Sequence, residues 1–300
     1  MLSSKSCEAF LAVAETGSFD EAAKVLCLTA SAVTLRVQAL EKDLGQVLLL
    51  RERPCRVTQT GQQLLEHLQH QRLSEHHLIQ SLQGQSQAHY FQQFNIATNA
   101  DSLSTWLLHV LQHVLITEKV AIKFLIDDQT QTHQLLETGR VNACISTEKR
   151  AMKGCEAHLI GQMHYRMVAT PEFAHQWFKD GIDREKLRQI PAIIFNDRDL
   201  LHHQVILKLF GLNQQSYPHY FVPSSSAFAD AIHLGLGFGL LPDDQIGTHI
   251  DTGKLIEVMP KASTAMQLYW HHWKQQAPAL EKITQVLLTQ AAQHLDGVKS

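Results

Sequence analysis

The chain has 300 residues, of which 44% are hydrophobic and 18% charged, and its formal net charge is −3 at pH 7. This length and composition predict two or three globular domains, and the charge excludes a strong overall basic field that would attract a polyanion. Near the start, Glu8 and Glu15 bracket an apolar run too short for a signal peptide, and no window has the apolar length of a membrane span. The five cysteines are odd in number and lack metal-type spacing. We therefore expect reduced thiols in a cytoplasmic protein without a membrane segment.

Histidine is frequent, with 19 copies and three adjacent pairs, at 76/77, 202/203 and 271/272. Adjacent residues point to different faces of a helix or strand, so such pairs seldom share a metal ion. The HExxH motif and zinc-finger spacing are absent from the sequence. We expect neither a metal site nor a cofactor.

The first sixty residues predict a helix-turn-helix. Phe10 and Val13 lie on one face of a first helix, and Ser18 can cap a second helix that begins at Phe19. A third helix is predicted over 29–44, where apolar residues recur at spacings of 4, 3 and 4, and Gly45 ends it. Two alanines on the second helix, at 22 and 23, allow the third helix to approach closely, as a helix-turn-helix requires.

The third helix and the segment after it carry the side chains suited to DNA. The outward face of the third helix is expected to hold short hydroxyls, a guanidinium and an amide, those of Ser31, Thr34, Arg36 and Gln38. Such side chains suit a helix that enters the major groove. The segment "VLLLRERPCRVTQTG" predicts a wing whose arginines bind phosphates. Between residues 24 and 60 there are six basic and three acidic residues, so positive charge is concentrated here. The candidate DNA-binding residues are Thr29, Ser31, Thr34, Arg36, Gln38, Arg51, Arg53 and Arg56. The alternative is a small three-helix bundle with a solvated arginine loop.

The order and spacing of "FLAVAETGSFDEAAKVLCLTASAVTLRVQALEKDLGQVLLLR" and "VTQTGQQLL" resemble the LysR-type transcriptional regulators. Further along the chain, "NADSLSTWLL", "FVPSSSAF" and "LYWHHW" resemble the arginine- and lysine-responsive branch of that family. The resemblance implies that Thr29, Ser31, Thr34, Arg36 and Arg51 lie at the DNA. Ala30 and Leu35 depart from the family pattern, which commonly has glutamine at the first position and glutamine or arginine at the second. We therefore expect a different operator and a larger contribution from the wing.

A long helix is predicted from Thr58 to about Gln83, followed by the polar hinge "GQSQAH". Its apolar seam, interrupted by Arg72 and Glu75, consists of Leu65, Leu68, Ile79 and Leu82. Two antiparallel copies can satisfy the polar middle of this seam, and a pseudo-palindromic operator needs two recognition helices, so we predict a homodimer or homotetramer. A lone helix lying on its own domain is the alternative. The predicted units are a winged helix-turn-helix at 1–60, a linker and dimerisation helix at 58–86, and an effector-binding domain at 90–300.

From residue 90 onward, predicted strands and helices alternate, which indicates an α/β fold with largely parallel sheets. Strands are predicted at 93–98, 120–126, 142–146, 191–195, 218–222, 237–241 and 265–272. Helices are predicted at 101–116, 130–138, 171–179, 200–210, 225–234, 243–251 and 278–295. We expect sublobe I at 90–165 plus 266–300 and sublobe II at 166–265. The resemblance implies a two-lobed domain, like periplasmic binding proteins, with the ligand between the lobes.

Polar residues follow several of these strands, where open α/β sheets bind ligands. Helix N-termini suit a carboxylate and an aspartate suits an ammonium or guanidinium group, so an amino acid fits at both ends. The candidate effector-binding residues are Asn99, Asp101, Ser102, Asp128, Ser146, Asn196, Asp197, Ser224 and Ser225. The alternative for Asp101, Ser102 and Ser224 is that they only cap helices.

The sequence thus predicts a transcription regulator that binds double-stranded DNA and responds to a small effector, lysine or arginine, with RNA polymerase as a further candidate partner. A replication-origin or nucleoid binder that needs no ligand is the first alternative. An enzyme that uses the crevice is the second, although the sequence contains no nucleophile–base motif, phosphate loop or metal cluster.

Overall fold

The computed structural model describes residues 3–65, 67, 68, 71, 91–127, 132–179 and 181–295. Its amino-terminal head contains α1 (Ser4–Thr16), α2 (Phe19–Val25) and α3 (Ala30–Leu44), followed by the antiparallel strands β1 (Leu49–Leu50) and β2 (Arg56–Val57). The axes of α2 and α3 bend by 103°, which is within the range of a helix-turn-helix. The head is therefore a winged helix-turn-helix.

The head has its own hydrophobic core. Phe10, Val13, Val33, Val37 and Leu40 are fully buried, so the inward faces expected for the first and third helices form this core. The N-cap expected at Ser18 forms, since its side-chain oxygen accepts a hydrogen bond from Glu21 N. The side-chain oxygen of Thr29 caps α3 in the same way by accepting from Ala32 N.

The helix that follows the wing is joined closely to β1. Residues 59–65 are helical, and the Thr58 hydroxyl caps this helix by accepting from Gly61 N at 3.0 Å and donating to Val47 O at 2.7 Å. A Cβ on Gly61 would lie 2.1 Å from Leu48 O, so only glycine fits there. The "TQTG" motif is thus explained by a cap and a close backbone contact.

Two residues of the predicted dimer seam belong to the head core instead. Leu65 is fully buried and Leu68 is 7% exposed, and both pack with the head residues. Their apolar spacing therefore reflects contact with the helix-turn-helix, which the seam prediction did not anticipate. The other seam residues, Ile79 and Leu82, and the polar residues Arg72 and Glu75, lie outside the described residues.

A seven-stranded mixed sheet organises the rest of the described chain, with β9 paired to β6 beside the order β10-β6-β11-β5-β3-β4. Only the pairs β3–β4 and β3–β5 are parallel within it. A separate two-stranded sheet pairs β7 and β8 in parallel. The strands are β3 (Gln92–Thr98), β4 (Val120–Ile126), β5 (Ala143–Ser146), β6 (Cys155–Ala169), β7 (Ala192–Ile194), β8 (His219–Phe221), β9 (Gly239–Pro242), β10 (Ile256–Glu257) and β11 (Thr264–Trp273).

The helices of this half pack on the sheets around buried apolar residues that include Trp106, Trp270 and Phe238. They are α4 (Ala100–Ser104), α5 (Leu107–Thr117), α6 (Thr132–Glu137), α7 (Pro171–Trp177), α8 (Arg184–Leu187), α9 (Leu200–Phe210), α10 (Ser225–His233), α11 (Asp243–Ile246) and α12 (Pro278–Gln290). Within the described part of the chain, no single helix is long and apolar enough to cross a membrane. The bent pair α2–α3 reaches that length and apolar composition only when the two helices are taken together.

The main departure from the prediction is β6, a 15-residue strand that the sequence pattern did not indicate. It pairs antiparallel with β11, β9 and β10, so the large sheet is mixed rather than largely parallel. The register shifts between Leu268 and Tyr269 opposite Gly161, where φ is +145° and a Cβ would clash with Leu295. The predicted sublobe boundary at 165/166 falls inside this strand, which runs through both sublobes. The predicted helix 101–116 is likewise divided into α4 and α5, and 243–251 shortens to α11.

Candidate functional sites: a recognition helix and an inter-lobe cleft

The outer face of α3 is a stripe of polar and apolar side chains. Ser31, Leu35 and Gln38 are exposed and Thr34 is half-buried; these residues are three or four positions apart and share a face. The Thr34 hydroxyl donates to Ala30 O at 2.8 Å, and Thr29 and Ser31 oxygens lie 3.0 Å apart. Leu35 is 66% exposed, so this face also presents a large apolar side chain to solvent.

Arg36 lies on the flank of α3. Because successive helical residues are about 100° apart, Arg36 points about 100° or more away from each residue of the stripe and is only half-exposed. This corrects the expectation that it shares the outward face of Ser31 and Gln38. A long side chain in this position suits a phosphate beside a groove better than a base at its floor.

The wing displays its three arginines, Arg51, Arg53 and Arg56, to solvent. Arg51 places its guanidinium carbon 5.7 Å from the ring centroid of Phe19 at the start of α2. Such a cation–π contact holds the charge beside the helix-turn-helix. Arg56 is 4.0 Å from Glu52, an exposed pair that contributes little stability. The wing therefore presents cations next to the stripe of α3.

A cleft in the carboxy-terminal half lies between the β3–α4 connection, β6, and the starts of α9, α10 and α11. Asn99, Asp101 and Tyr165 line one side of it, and Asn196, Asp199 and Gln245 line the other, along with several apolar residues. These side chains come from segments far apart in the sequence. The fold therefore brings together a polar site that lies beside apolar walls.

Asp101 is the centre of a hydrogen-bond network across this cleft. Ser225 donates its hydroxyl to Asp101 Oδ1 at 2.6 Å, and Tyr165 donates its phenol hydroxyl to Oδ2 at 2.9 Å. Gln245 Nε2 in turn donates to Ser225 Oγ at 2.8 Å. Because a carboxylate offers about four lone-pair positions, Asp101 retains the capacity to accept further donors.

The environment of Asp101 disfavours an unpaired negative charge. Burial raises the pKa of its carboxyl group, and the hydrogen bonds from Ser225 and Tyr165 oppose that rise. A cationic ligand would favour the ionised form. Among the described residues that line the cleft there are three aspartates (Asp101, Asp127 and Asp199) and no lysine or arginine, so the site is suited to a cation.

Two buried side chains at the cleft hold polar atoms without protein partners. Asn99 is 3% exposed, and neither its Oδ1 nor its Nδ2 has a hydrogen-bond partner among the described residues. His202 is 1% exposed, and both of its ring nitrogens lack one as well. Burial, followed by the charges of His219 and His203, lowers the pKa of His202 to about 3, so this ring is neutral at physiological pH.

The structure places the predicted effector residues unequally. Asn99, Asp101 and Asn196 line the cleft and Ser225 bonds to Asp101, although Asn196 Oδ1 also accepts from Arg198 N. Four others lie elsewhere, and the last of the nine, Asp128, lies outside the described residues.

The four predicted residues that lie outside the cleft have other surroundings. Ser102 is buried with its hydroxyl 3.6 Å from Met163 Sδ, and Ser146 Oγ accepts from Glu148 N in a turn. Asp197 is exposed. Ser224 is exposed at the start of α10, where its hydroxyl lies 3.4 Å from Ser226 Oγ and makes no cap.

Sequence reasoning missed five polar residues of the cleft, which are Asp127, Tyr165, Asp199, His202 and Gln245. Tyr165 was missed because β6 was not predicted. Gln245 lies inside α11 with no preceding motif. Asp199 follows the predicted Asn196 and Asp197, and it accepts from Phe195 N and His202 N; a search for the N-cap of the helix at 200–210 would have found it.

Comparisons with known proteins match both halves of the chain. Residues 4–62 match the bacterial regulatory helix-turn-helix protein family, lysR type, and residues 91–292 match the LysR substrate binding domain. The HTH-type transcriptional regulator ArgP of Vibrio parahaemolyticus is 35% identical over 96% of both chains. ArgP of Pseudomonas aeruginosa PAO1 is 34% identical over 96% of this chain and 95% of that protein.

Solved structures agree over the full length. The crystal structure of ArgP from Mycobacterium tuberculosis has 32% identity and a TM-score of 0.79 and covers 98% of this chain and 99% of its own. Full-length LysG from Corynebacterium glutamicum with bound effector Arg has 29% identity and a TM-score of 0.75, covering 96% and 97%. The chain therefore belongs to the LysR family of DNA-binding transcriptional regulators, with an amino-terminal helix-turn-helix and an effector domain, and it is a regulator rather than an enzyme.

Proposed function

We propose that the chain is a cytoplasmic regulator that binds a pseudo-palindromic operator as a homodimer or homotetramer. The stripe of Ser31, Thr34, Leu35 and Gln38 enters the major groove, and Arg36 and the wing arginines contact the flanking phosphates. Gln38 suits adenine, and the exposed Leu35 suits a thymine methyl group. Leu35 replaces a polar family residue, so the operator differs from those of relatives at the base that it contacts.

The effector in this proposal is a basic amino acid, arginine or lysine. The observation that carries it is the acidic cleft centred on Asp101, whose carboxylate is held in place by Ser225 and Tyr165. A guanidinium or ammonium group there would form charge-assisted hydrogen bonds with Asp101. The structural relative LysG was solved with bound arginine, and that supports the same ligand class here.

The opposite end of the ligand has a matching environment. Asn99, whose buried amide lacks a protein partner, can donate and accept at the ligand backbone. Ligand contacts from both lobes would stabilise a closed domain and couple closure to operator geometry by about 1–3 kcal/mol.

Calorimetric titration of the full-length protein with L-arginine, L-lysine and L-citrulline tests the effector. Citrulline matches arginine in shape and lacks its positive charge, so it serves as the control. We expect binding of arginine or lysine, with citrulline at least tenfold weaker, and a stabilisation of about 2.7 kcal/mol at a ligand concentration of 100 Kd. Equal binding of citrulline, or no binding of either basic amino acid, contradicts the proposed effector class and leaves the DNA-binding assignment intact.

A further inference from the structure

Three side chains with metal-binding atoms converge on β6 and β11, away from the effector cleft. Glu156 Oε2, His158 Nε2 and His272 Nε2 all lie within 4.8 Å of one another. In the strand register, Glu156 faces His272 and His158 faces the neighbouring Trp270. Since cross-strand partners and residues two apart share a face of a sheet, the backbone itself places these three side chains together.

The distances are close to those of a tetrahedral metal site. His158 Nε2 is 3.2 Å and His272 Nε2 is 4.0 Å from Glu156 Oε2. Metal–ligand bonds of about 2.0–2.1 Å separate neighbouring tetrahedral ligands by roughly 3.3 Å. Glu156 and His158 have side chains 47% and 37% exposed, so they can rotate to close the remaining distances without disturbing a core.

His272 supplies an independent indication of a ligand. It is 3% exposed, and its Nδ1 donates to Trp273 O at 2.8 Å. That bond leaves the lone pair on Nε2, which is buried, faces Glu156 and His158, and has no hydrogen-bond partner among the described residues. Metal-bound histidines characteristically have this arrangement, in which one nitrogen donates to a carbonyl and the other binds the ion.

We propose that Glu156, His158 and His272 bind one divalent transition-metal ion of the zinc type, with a fourth position open to solvent. Two imidazoles and one carboxylate suit such ions, whereas magnesium and calcium prefer an all-oxygen shell. The rule against adjacent histidines does not apply, because His158 and His272 lie on neighbouring strands. The ion would join β6 to β11 at a point roughly 20 Å along β6 from Tyr165, seven residues away, and would stabilise sublobe I.

The test is a competition titration of metal-stripped full-length protein with Zn²⁺ against a chromophoric chelator. The wild type is expected to bind one Zn²⁺ per chain in a tight class, and Co²⁺ in its place is expected to give the visible absorption of a tetrahedral site. The double variant E156Q/H158Q is expected to bind at least about 100-fold more weakly, since even loss of an outer-sphere partner costs 10- to 100-fold.

His175→Gln, at an exposed histidine of α7, is the matched control and is expected to leave the tight class unchanged. Far-UV circular dichroism and the arginine titration verify that E156Q/H158Q is folded, and they also separate this inference from the effector proposal. Retention of the tight class in the double variant, or absence of a tight class in the wild type, overturns the metal site.

Discussion

Asp101→Asn is the substitution that addresses the effector cleft most directly. An asparagine has nearly the same shape, and its amide can still engage the hydroxyls of Ser225 and Tyr165, which lie 2.6 and 2.9 Å from the carboxylate. The substitution therefore removes the charge and keeps the geometry. Because burial raises the pKa of Asp101, the charge is costly without a ligand, and we expect the free protein to be as stable as the wild type or more stable.

The expected effect on arginine affinity follows from the bonds that are lost. Hydrogen bonds to charged groups contribute about 1.5–3 kcal/mol, which corresponds to about 10- to 150-fold weaker binding. Calorimetric titration measures the affinity, and a thermal melt without ligand measures the stability.

Ser225→Ala is the matched control for Asp101→Asn, since it removes the inter-lobe hydrogen bond that Asp101→Asn can keep and leaves the charge of Asp101 in place. It is expected to weaken arginine binding by less than tenfold. If Asp101 only linked the lobes, Ser225→Ala would weaken arginine binding at least as much as Asp101→Asn does. Equal losses, or arginine binding by Asp101→Asn within threefold of wild type, would refute the role of the charge.

Two further substitutions test the packing that supports each site. Gly61→Ala places a Cβ 2.1 Å from Leu48 O and is expected to destabilise the head by about 1–3 kcal/mol. Thermal unfolding followed by circular dichroism should detect this loss, whereas tryptophan fluorescence should not, because every tryptophan lies beyond residue 100. Gln63→Ala, at an exposed position of the same helix, is the control. Burial lowers the pKa of His202 to about 3 in the folded protein, against about 6.5 in the unfolded chain, so acidification protonates the unfolded state first. The free energy of unfolding is therefore unaffected by this group above pH 6.5 and falls below that pH, by about 2 kcal/mol at pH 5. His202→Phe should lack this part of the acid sensitivity in urea unfolding at pH 7 and pH 5, and an unchanged sensitivity would show that another group causes it.

The head could be predicted from the sequence because its structure follows local rules. Ser18 and Thr29 cap their helices, Gly45 ends α3 with φ of +64°, and the apolar spacing of α3 identifies its buried face. The face predicted for Arg36 was wrong because a list of the polar residues in a helix does not show at which angle around the helix axis each one lies. Leu65 and Leu68 show a second limit, since a seam pattern identifies a buried face but not the partner that covers it.

The effector half was harder to predict because β6 does not keep one alternation of buried and exposed residues along its whole length. Met163, Tyr165 and Met167 are buried and alternate with less buried neighbours, as in a half-covered strand. The irregularity at Gly161 shifts this alternation relative to Ile160, so no single phase extends over the strand. Without β6, neither the inward position of Tyr165 nor the cluster around His158 could be inferred. Asp101 was found because it follows a strand that the sequence showed clearly.

The DNA-reading surface is tested by first letting the wild-type protein select fragments from a library of genomic DNA. The selected fragments are then titrated with the wild type and, separately, with the double variant Arg36→Ala/Arg51→Ala, and DNA retardation is measured. We expect the selected fragments to share a pseudo-palindromic sequence and the wild type to prefer them to bulk genomic DNA by at least about 10³-fold. The folded double variant is expected not to retard them. Retention of sequence-specific binding in that variant, or selection of fragments without a common sequence, would contradict the assignment of α3 and the wing as the DNA-reading surface.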